Sequence, residues 1–115
     1  MRRTLLTVAL LLGAAACGLR TGEPLPLNIR VEPSRATAAP GDAIDFVVTA
    51  QGGNLLEVDI DYGDGEGAQF AAGGAQTAKV TFRHAYSDGG AFHVVASVTD
   101  VNEVQKNATV DITVQ

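Results

Sequence analysis

From Leu27 onward the chain repeats one pattern, in which apolar and polar residues alternate in short runs that turn signals separate. In "LNIRVE" Leu27, Ile29 and Val31 alternate with polar positions, and Pro33 ends the run. "AAPGD" is a turn signal. "AIDFVVTA" then places Ile44, Phe46 and Val48 on one side, and "QGGN" at Gln51 to Asn54 breaks the chain. "LLEVDIDY" sets Leu56, Val58, Ile60 and Tyr62 against Glu57, Asp59 and Asp61. Three further runs carry Ala78, Val80 and Phe82; Phe92, Val94, Ala96 and Val98; and Val110, Ile112 and Val114. A period of two buries one face of a strand and leaves the other wet. Six or seven such runs predict an all-β antiparallel sandwich. No segment after residue 26 carries a helical period of useful length.

The first residues follow another rule. Arg2 and Arg3 precede an apolar run from Leu5 to Ala16, interrupted once by Thr7. This is shorter than the roughly 20 residues of a membrane-spanning helix. It predicts a signal peptide over 1–16. "GAAAC" resembles the lipobox of bacterial lipoproteins, although Ala14 stands where such boxes usually carry Leu. The resemblance implies that Cys17, the one cysteine, becomes a diacylated first residue. Ala14 and Ala16 also satisfy the rule of an ordinary signal peptidase, which would leave a secreted protein with a free thiol. Gly18 is compatible with sorting to the outer membrane. Residues 17–26 then form the lipidated Cys and a tether, whose nine residues after the Cys reach at most about 30 Å. Residues 27–115 form the domain.

Composition narrows the partners. The formal net charge is -5 with eight Lys and Arg, which excludes a basic nucleic-acid face. Removal of 1–16 takes away two of the eight basic residues and none of the 13 acids, leaving a net -7. Anionic headgroups repel such a domain, so it is expected to stand off the membrane rather than lie on it.

Two stretches point to a family. "IDYGDG", with Ile60, Tyr62, Gly63, Asp64 and Gly65, resembles the W-x-F-G-D-G signature of polycystic kidney disease (PKD) domains. "HAYSDGGAFHVVASVTD" resembles that family's H-x-Y-x-x-P-G-x-Y-x-V-x-L-x-V-x-D run, with His84, Tyr86, Gly90, Phe92, Val94, Val98 and Asp100 in register. Ile60 replaces the usual Trp, Tyr62 a Phe, Gly89 a Pro and Ala96 a larger aliphatic. The resemblance implies an immunoglobulin-like sandwich of about seven strands and a non-catalytic module. Such modules make protein or carbohydrate contacts at cell surfaces.

The acidic run "DIDYGDGEG" is the obvious place to look for chemistry. Glu57, Asp59 and Asp61 share the outward side of their strand, and Asp64 lies in a Gly-Asp-Gly turn. No metal is expected. Calcium at Asp61, Asp64 and Glu66 is the alternative, but calcium takes six to eight oxygens and the pattern fixes too few. A glycosidase pair needs carboxyls facing one another across a cleft, which neighbours on one exposed strand do not provide. His84 is expected in a turn, bonded to nearby backbone. Tyr86 is expected to tie its hydroxyl to backbone, as the corner tyrosine of such sandwiches does. Phe70 is read as core or edge cover first and as an exposed contact second. The sequence thus predicts a non-enzymatic, outer-membrane lipoprotein that binds an envelope protein. Its contact surface would be the acidic face or the loops at Gln51–Asn54 and Ala71–Ala75. The alternative is a glycan-binding module that uses Phe70.

Overall fold

Alternation sorts the side chains into two facing layers. The structure is a computed structural model and describes residues 25–115. The signal peptide, Cys17 and most of the tether lie outside the described residues. Eight strands run in chain order: β1 (Asn28–Pro33), β2 (Thr37–Ala38), β3 (Ala43–Gln51), β4 (Leu55–Asp61), β5 (Gly67–Ala71), β6 (Thr77–Ala85), β7 (Gly90–Asp100) and β8 (Gln105–Val114). One sheet has the order β1-β3-β6 and the other β2-β8-β7-β4-β5. All pairings are antiparallel except the two-residue contact of β2 with β8, which is parallel. The predicted all-β sandwich is therefore the observed fold.

The inward residues of the two sheets form one core. Ile44, Phe46 and Val48 of β3 meet Val58 and Ile60 of β4, Val94, Ala96 and Val98 of β7, and Ile112 and Val114 of β8. Leu27, Ile29 and Val31 close one side as partly buried cover.

One expected inward residue is not inward. Leu56 is 47% exposed, and Leu55 is fully buried in its place. The pairing of β4 with β7 shifts register between Leu55 and Glu57. This β-bulge adds a residue and reverses the alternation upstream of it. From Val58 to Tyr62 the expected faces hold.

Two strands lie outside the alternating runs. Residues of β5 appear in sequence as the glycine-flanked "GAQFA". They become a strand because they pair edge-on with β4, from Asp61–Gly67 to Glu57–Ala71. β2 exists only through its contact with Thr113 and Val114. Neither carries a periodic pattern of its own, so pairing rather than propensity makes each a strand.

Candidate functional site

The GDG turn is built by backbone demands. Gly63 has φ 86° and Gly65 φ 93°, in the left-handed region that favours glycine. Gly63 also lies so close to β7 that an added Cβ would meet the His93 carbonyl oxygen at 2.6 Å. Asp61 Oδ1 accepts from the Gly63 N–H at 2.9 Å, and Asp64 Oδ1 accepts from the Glu66 N–H at 3.1 Å. Both acids thus shape the turn through their own backbone.

Behind the turn stands a row of rings. Tyr62 stacks on His84 with centroids 3.9 Å apart and planes 3° from parallel. His84 meets Tyr86 edge-on at 4.8 Å, and Tyr86 stacks on Phe92 at 4.4 Å. The Tyr86 hydroxyl donates to the Tyr62 carbonyl at 2.8 Å, the backbone tie expected of it. Burial, with the charges of Asp64, Tyr62 and Asp61 behind it, pushes the Tyr86 hydroxyl up to about 12.

His84 departs from expectation twice. It lies within β6 rather than in a turn, and its partner is a carboxylate rather than backbone. Its side chain is only 9% exposed, and Nε2 sits 2.7 Å from Asp64 Oδ2. Burial works to raise the Asp64 carboxyl. The His84 bond and the Glu66 N–H outweigh it and hold the carboxyl below its usual range. An ionised carboxylate only accepts, so Nε2–H is the donor.

The expected alternative ligand set, Asp61, Asp64 and Glu66, is not the group brought together. Asp61 is turned to its own backbone. The groups within 4.8 Å of one another are Asp64, Glu66 and His84. An imidazole with two carboxylates suits zinc better than calcium, which prefers oxygen alone. Two ligands of a tetrahedral zinc sit about 3.3 Å apart, from bond lengths near 2.0 Å. The 2.7 Å between His84 and Asp64 is instead a hydrogen bond, and an ion would have to displace its proton.

The remaining motif residues hold the fold. Gly90 takes φ 149° at the start of β7. Asp100 Oδ1 accepts from the N–H groups of Asn102 and Val104, at 2.9 and 3.0 Å, and so shapes the β7–β8 turn.

The acidic stripe lies on the outward face of the five-stranded sheet, as expected. Glu57, Asp59 and Asp61 stand opposite Thr99, Ser97 and Val95 of β7. Asp59, Asp61, Glu66 and Gln69 line an open depression of about 570 Å³. Asp59 Oδ1 is buried and has no hydrogen-bond partner among the described residues. The charge of Asp59, and then burial, raises the Glu57 carboxyl. Phe70 pairs with Val58 and so faces the inner side of β5, yet it overhangs the edge and stays 42% exposed. It is not a core residue, because the three-stranded sheet is too narrow to cover it.

This two-sheet arrangement is the fold of PKD-type β-sandwich domains. The chain is similar to the PKD domain of an M14-like peptidase from a Thermoplasmatales archaeon, with TM-score 0.63 and 19% identity, over 79% of this chain and 94% of that one. It is similar to a CARDB domain from Pyrococcus furiosus, solved in complex with di-metal ions, with TM-score 0.59 and 16% identity, over 77% and 92%. It is also similar to the PKD domain of the human VPS10 domain-containing receptor SorCS2, with TM-score 0.53 and 20% identity, over 80% and 74%. No protein-family model and no curated protein matches the sequence.

Proposed function

We propose that this chain is a non-catalytic PKD-like module of the bacterial envelope, anchored to the outer membrane through Cys17. It binds an envelope protein through the outward face of the five-stranded sheet. The observation that carries this reading is the stripe Glu57–Asp59–Asp61. Like charges on one strand repel, and the raised Glu57 carboxyl records that repulsion. No Lys or Arg forms an ion pair with the stripe among the described residues. A partner with Lys, Arg or amide donors relieves the repulsion.

The test is a photo-crosslinking residue at Ser97, which faces the stripe, with a control at Thr49 on the opposite sheet. Adducts in cells at position 97 alone, lost in Asp59→Lys while thermal stability is kept, are the expected result. Equal adducts at both positions, or adducts indifferent to Asp59→Lys, count against the reading.

The carbohydrate alternative draws on the half-exposed ring of Phe70. That ring faces the opposite side of β5 from Gln69, so ring and carboxylates do not converge on one sugar. Glycan binding abolished by Phe70→Ala would favour it.

A further inference from the structure

The two ends of the sandwich differ in character. Pairing of Asn28 with Gln51 sets the start of β1 beside the β3–β4 turn. The Val101 N–H donates to the Asn54 carbonyl, and the Gly74 N–H to that of Leu55. The chain therefore enters at the end that holds the β3–β4, β5–β6 and β7–β8 turns. At this end Leu25, Leu56, Val101 and Val104 are each 41 to 52% exposed. With Phe70 on the adjoining edge, they are all the exposed large apolar residues among those described.

Charge is divided in the same direction. Arg35 and Arg83 pair with Asp42 and Asp45 in the far half. Arg30, Lys79 and Lys106 form no ion pair among the described residues, and they lie in the entry half. Arg30 and Lys79 flank Thr49 from either side, and Lys106 pairs with Val98. The entry half also carries Glu57, Asp100 and Glu103, so its charges balance. The far end carries Asp42, Asp61, Asp64, Glu66 and Asp88 and is net acidic.

We propose that the entry end is a lipid contact. Leu25, Leu56, Val101 and Val104 sit at the boundary of headgroups and acyl chains, and the acidic end points away from the bilayer. This rests on the reading of Cys17 as lipidated. Seven residues lie between Cys17 and Leu25, eight steps that span at most about 29 Å, so the anchor delivers this end to the surface before any other. The 11 residues of β7 run about 36 Å from one end to the other, against a Debye length of about 10 Å. The acids at the far end are screened from the headgroups, and close to them Arg30, Lys79 and Lys106 offset Glu57, Asp100 and Glu103. The net negative charge of the far half, against a balanced entry half, thus turns the domain upright.

The test uses the full lipidated protein, in which acylation blocks the Cys17 thiol. Val104→Cys and, separately, Asp88→Cys carry an environment-sensitive fluorophore. Vesicles of phosphatidylethanolamine and phosphatidylglycerol contain brominated lipid as quencher. The expected result is a blue shift and quenching at position 104 and a water-like, unquenched probe at position 88. A diacylated protein with water-like probes at both positions, or with a shift at position 88, overturns the orientation alone. Energy transfer between copies at position 104 that rises with the protein-to-lipid ratio assigns the end to self-association and also overturns it. An intact mass without diacylglycerol on Cys17 overturns anchor and orientation together.

Discussion

The Tyr86 hydroxyl donates to the Tyr62 carbonyl across 24 residues, and so joins the two family-like motifs by one buried bond. The second motif supplies the donor and the first supplies the acceptor. Between the two tyrosines lies His84, stacked on one and edge-on to the other.

Tyr86→Phe removes this donor and leaves a buried carbonyl without it. The expected loss is about 1–3 kcal/mol, or a Tm lower by several degrees. The pH response gives a second check. The folded hydroxyl is raised to about 12, above its unfolded value near 10. Its contribution is complete below pH 10 and is lost as pH rises from there through 12. Thermal melts of wild type should fall across that window, and those of Tyr86→Phe should fall less.

Asp64 gives the opposite dependence. Its folded carboxyl is depressed, so its contribution is present above the unfolded value of about 3.9 and disappears as pH falls below it. Asp64→Asn should melt lower than wild type at pH 7 and show a flatter acid limb. Equal acid limbs would mean that the bond to His84 adds nothing to folding. Added calcium should leave the wild-type melt unchanged, since Asp61 is committed to Gly63 and His84 to Asp64.

The two turn glycines separate two costs. Gly65→Ala meets open space and pays only for the left-handed backbone, about 1–2 kcal/mol. Gly63→Ala adds a collision with the backbone of β7, for a total of about 2–5 kcal/mol. Urea titration of both variants should rank them in that order.

The bulge in β4 makes a sharp comparison between neighbours. Leu55→Ala empties a fully buried site and should cost about 2–5 kcal/mol. Leu56→Ala should change stability by no more than about 0.5 kcal/mol. Reversed values would restore the uninterrupted alternation.

On the acidic stripe, stability and binding are expected to conflict. Asp59→Asn relieves the repulsion on Glu57 and should raise Tm. The same change should weaken capture of the partner at position 97. A variant that gains stability and keeps full crosslinking would remove the stripe from the binding face.

Much of the fold was legible because a strand's alternation is a local property. Phe46, Val58, Ile60, Val94 and Ile112 announce their inward side within a few residues, and all five are buried. The left-handed glycines at 63 and 65 were legible for the same reason. His84 was not. Its partner lies 20 residues away in a turn of the other sheet, and only the packing of the two sheets on one another brings the two within 2.7 Å. The exposure of Phe70 was equally hidden, since it depends on how far the opposite sheet extends.

Residues alone determined the period of two, the buried faces and the turn chemistry of Gly63 to Gly65. These follow from chain stereochemistry and side-chain polarity at neighbouring positions. Tertiary structure decided the bulge that exchanges Leu55 for Leu56, the edge strands β2 and β5, the His84–Asp64 bond and the separation of an apolar end from an acidic one. Each of those depends on which distant strands pair and in what register, and a local pattern does not specify that.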